Sequence, residues 1–216
     1  MRIIVAGDIH AKWGHLQTLI EAQQPDIILQ CGDFGYWPRQ ARVKPVAAPS
    51  RIYWCDGNHE DFTALEARTS NEVYPYIYYQ PRGSSLQIKS THILFMGGAD
   101  SIDKKYRTPG YDWFPEELIT YRDVTELPEK QIDIIISHTY PMCFGENAVP
   151  GLNLAKKRHD PSRHALDIVY EKYKPKYWFF AHWHCSVQGQ YQDCKWTCLN
   201  MAPRSNWWTN ISKIIK

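Results

Sequence analysis

The chain has 216 residues, 44% of them hydrophobic and 22% charged, which are ordinary values for a globular protein with a substantial core. A formal net charge of +2 is too small to argue for a nucleic-acid or membrane partner on electrostatics alone. No apolar stretch approaches the roughly 18–20 residues of a membrane span, and no secretory leader is visible, so a cytoplasmic location (or the cytoplasm of a host) is expected for one domain over residues 1–216.

Residues 2–6 read as a buried strand that stops at Gly7-Asp8-Ile9-His10. If the chain stays extended there, side chains alternate, and Asp8 and His10 point the same way. Apolar residues at helical spacing predict a helix over 13–23, which Pro25-Asp26 ends. The run 27–29 is a second buried strand and closes in Gly32-Asp33. Strand, helix and strand form a βαβ unit, so Asp33 belongs beside Asp8 and His10.

Residues 34–50 hold three prolines and read as loop. A strand over 51–55 then runs into Gly57-Asn58-His59-Glu60, with a helix expected from 61 to about 68. Short strands are expected at 76–78, 86–88 and 92–96, the last ending in Gly97-Gly98. The loop over 100–113 is rich in charge and aromatic rings, and a helix is expected to begin at Pro115 with Glu116 and Glu117 in its first turn. The strand 132–136 ends in Ser137-His138.

Beyond it lies a loop over 140–160 whose basic run, Lys156-Lys157-Arg158-His159, reads as solvated surface. Asp160 is placed to cap a helix to about 173. The strand 177–180 ends in His182-Trp183-His184, and 186–191 with 195–200 read as a hairpin around Asp193. Cys31 and Cys55 close apolar runs and read as small core residues. Cys185, Cys194 and Cys198 lack the paired spacing of a structural zinc site. The tail from about 201 to 216, with Trp207 and Trp208, is expected either to pack on the domain or to form an oligomer contact.

Five apolar strands thus end in Asp8/His10, Asp33, Asn58/His59, His138 and His182/His184. In open α/β sheets ligands bind beyond the carboxyl ends of strands. With His59 left free beside Asn58, whose amide oxygen can bind a metal, three carboxylate or amide oxygens and four imidazoles are too many for one ion and suit two divalent ions with a shared Asp. No Cys stands among them, which argues against a structural zinc site.

In this order the motifs Asp8-Ile9-His10, Gly32-Asp33, Gly57-Asn58-His59-Glu60, His138 and Ala181-His182-Trp183-His184 resemble the calcineurin-like metallophosphoesterase superfamily. The resemblance implies an α/β fold, a four-layer α-β-β-α sandwich of two mainly mixed sheets flanked by helices. It also implies that one ion takes Asp8, His10, Asp33 and His184 and the other Asp33, Asn58, His138 and His182. His59 would face the scissile phosphate and protonate the leaving group, and a metal-bridging hydroxide would attack. The superfamily glycine before the final pair of histidines is Ala181 here. The arginine that follows Asp33 in the Ser/Thr protein phosphatase branch is missing, which points to a small phage- or bacterial-type phosphoesterase.

On this reading the chain is a dimetal phosphoesterase that uses Mn²⁺ by preference, or Fe, Zn²⁺, Co²⁺ or Ni²⁺. Its expected substrates are phosphate esters, with diesters such as nucleotides favoured. Lys104, Lys105 and Arg107 in the aromatic loop are the candidates for holding substrate phosphate. A nuclease, a phosphomonoesterase and a non-catalytic scaffold on the same fold are the alternatives.

Overall fold

The computed structural model describes residues 1–40, 44–145, 148–149 and 160–216. The basic run over 156–159 lies outside the described residues. Strand β1 (Ile3–Ala6), helix α1 (Trp13–Gln23), β2 (Ile27–Gln30), β3 (Arg51–Trp54), helix α2 (Phe62–Glu66), β4 (Glu72–Tyr74) and β5 (Ile77–Tyr79) come first. They are followed by β6 (Ser85–Ile88), β7 (Thr91–Met96), helix α3 (Tyr121–Thr125), β8 (Ile134–Ser137), helix α4 (Pro161–Tyr173) and β9 (Tyr177–Phe180). The chain then closes with β10 (Val187–Tyr191), β11 (Cys194–Cys198) and β12 (Trp208–Asn210).

The strands form two six-stranded sheets, ordered β12-β1-β2-β3-β5-β4 and β10-β11-β9-β8-β7-β6. Each has a parallel centre, β1-β2-β3-β5 in one and β7-β8-β9-β11 in the other, with antiparallel strands at both edges. The period-2 alternation of a strand sorts its side chains between two faces. Ile3 and Val5 of β1 join Phe95, Ile136 and Phe179 in a core between the sheets. Ile4 and Ala6 instead pack with Leu16, Leu19 and Ile20 of α1. On the far side, Leu94, Ile135, Trp178 and Phe180 pack against Leu166 and Val169 of α4. Three cores separate four layers, the architecture the sequence leads one to expect. No helix among the described residues is long and apolar enough to cross a membrane.

Most sequence boundaries hold within a residue or two, and the differences have causes. The helix expected over 61–68 is the shorter α2, capped by the Asp61 carboxylate, which accepts from the Ala64 N–H. Pro115 opens only a 3₁₀ turn, because Glu117 is drawn into the interior and Leu118 is extended. The true helix, α3, starts six residues later behind a Thr120–Asp123 capping box. Asp160 caps α4 as expected.

The tail packs on the domain. Its β12 pairs antiparallel with β1 and covers what would otherwise be an open edge, and Trp207 is buried in the α1-side core. Trp207→Ala should therefore cost about 3 kcal/mol of stability, read as a shift in the urea unfolding midpoint. A loss below about 1 kcal/mol would show that the tail is not integral to the core.

Candidate metal centre

The parallel centres of the two sheets put the carboxyl ends of β1, β2 and β3 opposite those of β8 and β9, and the site forms between them. Asp8, His10, Asp33 and His184 bring one ligand atom each to within 4.8 Å of one another. Beside them, His138 Nε2 lies 3.0 Å from Asn58 Oδ1 and 3.4 Å from Asp33 Oδ2. The His182 ring stands 4.9 Å from that of His138, centroid to centroid, and the His182 backbone N–H donates to Asp8 Oδ1. Asp8, Asp33, Asn58 and His138 are buried, whereas His10 and His184 are partly open to solvent.

The convergence of Asp8 and His10 does not come from strand alternation. The chain leaves the strand at Gly7, and His10 and Ala11 adopt left-handed backbone, as do Asp33, His182 and His184. Such conformations are sparsely populated in ordinary non-glycine residues and cluster where surrounding structure over-determines them. Ala181, where the superfamily has glycine, is not among them, so a side chain there is tolerated.

Two glycines carry a strict requirement. Gly32 has φ +93°, and a Cβ there would meet His138 Nδ1 at 2.6 Å and the Asp56 carbonyl oxygen at 2.8 Å. A Cβ on Gly57 would run into Asp33 Oδ1 and the Asp33 backbone nitrogen. Glu60, the last residue of the Gly57 motif, is not aimed at the site. Its buried carboxylate accepts from the N–H groups of Phe34, Gly35 and Tyr36 at 2.6–3.4 Å and so holds the loop that carries Asp33. Behind it, the buried Asp56 accepts from Tyr79 Oη at 2.9 Å and from Arg82 Nε and Nη2 at 3.0 and 2.6 Å. This clamp fixes the start of the Gly57 turn.

The electrostatics suit a cation. Burial works against ionisation of Asp33, but His138, His59 and His10 outweigh it and hold the carboxyl well below the usual range. Burial likewise opposes charge on His138, yet the Asp33 and Asp8 carboxylates push it up to about 9. Two carboxylates held against basic imidazoles are the donor chemistry a cation shares. His138 Nδ1 is bonded to the Cys31 carbonyl oxygen at 2.8 Å, which turns Nε2 inward, the usual arrangement of a metal-ligating imidazole. Asp8 Oδ2 is buried without a hydrogen bond, with His184 Nε2 3.1 Å away. Mixed imidazole, carboxylate and amide donors of this kind fit divalent first-row ions.

His59 lies at the rim. Its backbone N–H donates to Asp33 Oδ1 at 2.9 Å, and Arg107 Nη2 meets the ring Nε2 at 2.6 Å. A guanidinium only donates, so Nε2 accepts and the proton of the neutral ring is on Nδ1. Burial first, then Arg107, lowers the His59 pKa. Arg107 also donates to the Asn58 carbonyl oxygen and pairs with Asp103 at 2.7 Å. Lys104 pairs with Asp100 at 3.3 Å, and Lys105 lies over the Tyr106 ring. The structure thus brings Arg107 to the site and leaves Lys104 and Lys105 on the loop's outer side, among exposed tyrosines. A cavity of about 740 Å³ is lined by Asp56, Tyr79 and Arg82 but by none of the candidate metal-donor groups. Cys31 and Cys55 are buried, and Cys185 and Cys198 approach to 3.7 Å between sulfurs while Cys194 is buried separately.

Sequence reasoning did not single out Ser101, Asp56, Arg82 or Glu117, nor the task of Glu60. The one local signal was a carboxylate in apolar company at Glu117.

Fold and donor set together define a class. The calcineurin-like phosphoesterase family model matches residues 1–186, and the chain belongs to this family of metal-dependent phosphoester hydrolases. It is similar to the lariat debranching enzyme of Schizosaccharomyces pombe (strain 972 / ATCC 24843), 24% identical over 223 residues, which covers 85% of this chain and 48% of that protein. The Homo sapiens lariat debranching enzyme is 26% identical over 231 residues, covering 85% and 42%. The chain therefore spans about half the length of these curated relatives or somewhat less. Among solved structures, the phosphopantetheinyl hydrolase of Mycobacterium tuberculosis superposes with a TM-score of 0.51 at 13% identity, over 98% of this chain and 95% of that one, a likeness of fold.

Gly57→Ala tests the geometry of the centre. The added methyl displaces Asp33, so divalent-ion affinity should fall at least about tenfold while the far-ultraviolet circular dichroism spectrum is unchanged. Ion uptake equal to wild type would show that Asp33 is not held by this contact.

Proposed function

We propose that the chain hydrolyses phosphodiesters with two divalent ions, Mn²⁺ by preference. The observation that carries this reading is the placement of Asp33. Its Oδ2 lies 3.6 Å from His10 Nε2 and 3.4 Å from His138 Nε2, between two donor sets. On this reading Asp8, His10, Asp33 and His184 hold one ion, and Asp33, Asn58, His138 and His182 hold the other. When bound, the ions neutralise phosphate charge and lower the pKa of water from 15.7 to about 7.

The chain's own groups supply the rest. Asp33 fixes the spacing of the two donor sets and, through the His59 N–H, the position of the His59 backbone. His59 gives its Nδ1 proton to the departing oxygen while Nε2, released by Arg107, takes one from solvent, so the ring ends neutral. Arg107 stands against His59 Nε2 and adds positive charge where the ester phosphate is to lie. Lys104 and Lys105 add charge on the loop's outer side, where Tyr111, 60% exposed, is open to stack on a base. The loop and the lariat debranching relatives both favour a nucleotidic diester, with a branched RNA as the first substrate to try. A net charge of +2 favours contacts to a few nucleotides over a long phosphate groove.

Asp33→Asn should reduce the uptake of both ions, and Asn58→Ala mainly that of one, as measured by metal analysis of the purified variants. Two ions held as tightly in Asp33→Asn as in wild type would remove Asp33 from the shared position.

His59→Gln should keep both ions and lose about 10²–10⁴-fold in kcat/KM on nucleoside or alkyl leaving groups. On nitrophenyl diesters, whose leaving group needs no proton, the loss should be much smaller. Equal losses on both ester types would mean that His59 stabilises phosphate charge without protonating the leaving group. Comparing branched RNA, linear dinucleotides and phosphomonoesters in the same assay ranks the substrate classes.

A further inference from the structure

Glu117 is a fully buried carboxylate that neither donor set uses. It ends the 3₁₀ turn Pro115–Glu117, far in sequence from every strand end that builds the site. Burying a carboxylate is costly unless its oxygens are matched, and an apolar residue would fill the same space without that cost. Its partners are therefore informative. Oε1 accepts from the Ser101 N–H at 3.1 Å and from Trp113 Nε1 at 2.9 Å. Oε2 makes no hydrogen bond and faces Arg107 Nη1 at 3.7 Å. The Glu117 carbonyl oxygen also accepts from the Ala99 N–H, so the turn holds the 97–101 loop at two points.

Both lines lead to the site. Ser101 Oγ accepts from Asn58 Nδ2 at 2.8 Å, leaving Asn58 Oδ1 turned toward His138 Nε2. An amide has a donor end and an acceptor end, and only the oxygen can bind a cation, so an amide free to flip makes a poor ligand. The acceptor that Ser101 offers to Nδ2 removes the flipped state, and Glu117 is what fixes Ser101. On the other side, Arg107 bonds both the Asn58 carbonyl oxygen and His59 Nε2, and Oε2 of Glu117 is a buried countercharge for it.

We infer that Glu117 is a positioning residue for two halves of the site: through Ser101 it sets the orientation of the Asn58 amide, and through Arg107 it sets the orientation of the His59 ring. This rests on the reading that Asn58 holds an ion and His59 stands at the phosphate.

Two conservative variants separate the branches. Ser101→Ala removes the acceptor for Asn58 Nδ2 and leaves Arg107 in place. Loss of such an outer partner typically weakens metal affinity about 10–100-fold, and that loss should fall on one ion of the two. Calorimetric titration with Mn²⁺, together with loss of the exchange-coupled two-manganese resonance signal, reads this without any substrate. In Glu117→Gln, a carboxamide oxygen can still accept from Ser101 and Trp113, so both ions should bind as in wild type. The buried charge beside Arg107 Nη1 is gone while the Asp103 pair on Nη2 remains, and kcat on alkyl or nucleoside diesters should fall about tenfold, short of the ~10²–10⁴ of losing the general acid, with nitrophenyl diesters spared. KM on the nitrophenyl ester should be unchanged.

If wild type takes up two ions and both variants match it in ion binding and in the ratio of rates on the two ester types, with only thermal stability lowered, Glu117 merely staples the core and the inference is overturned. If wild type takes up fewer than two ions, the dimetal reading fails and carries this inference with it. The two failures are read from different proteins and cannot be confused.

Discussion

Glu60 and Asp33 form the pair on which the site depends. Asp33 sits in left-handed backbone at the end of β2, with its carboxylate buried among imidazoles. A short loop does not hold such a residue unaided. The Glu60 carboxylate gathers three successive N–H groups of the following loop, and this fixes the direction in which the chain leaves Asp33. Gly57 then lets the next strand end come close enough for the His59 N–H to reach Asp33 Oδ1. One carboxylate is thus positioned by another that never meets the substrate.

The two-sheet architecture explains why the donors converge from two sides. The sheet around β1, β2 and β3 supplies Asp8, His10, Asp33 and Asn58, and the sheet around β8 and β9 supplies His138, His182 and His184. The Asp8, His10, Asp33 and His184 cluster draws on both. The apolar core between them, with Val5, Leu29, Ile136 and Phe179, sets how far apart the strand ends lie. Close packing in that core turns a hydrophobic contact into a fixed spacing of the donor groups, because a well-packed interior deforms little.

Around the donors lies a layer of groups that bond to the donor-bearing loops rather than point into the donor cluster. The Asp56–Arg82 pair ties the Gly57 turn to the segment behind β5, and Arg82 further donates to carbonyl oxygens of residues 116–118. The same short segment carries Glu117. Residues 97–118, which look like an irregular excursion in the chain, therefore connect the back of the Gly57 turn with its front. Metal sites depend on such outer partners almost as much as on the ligands themselves.

Much of this was legible without coordinates. Apolar runs that stop at Asp8, Asp33, Asn58 and His138 mark strand ends by hydrophobicity alone, and α1, β9 and the cap of α4 fall where periodicity and capping chemistry put them. Those features depend on neighbours a few residues away. The left-handed turn at His10, the packing of Trp207 beneath β12, the inward pull on Glu117 and its links to Ser101 and Arg107 depend on partners brought near only by the fold. Ser101 meets Asn58 across 43 positions in the chain, and no local pattern encodes that distance. The sequence determined which residue types stand at the strand ends, and so the class of chemistry. Tertiary packing decided how those residues are oriented, because the hydrogen bonds that orient them are made across separate elements.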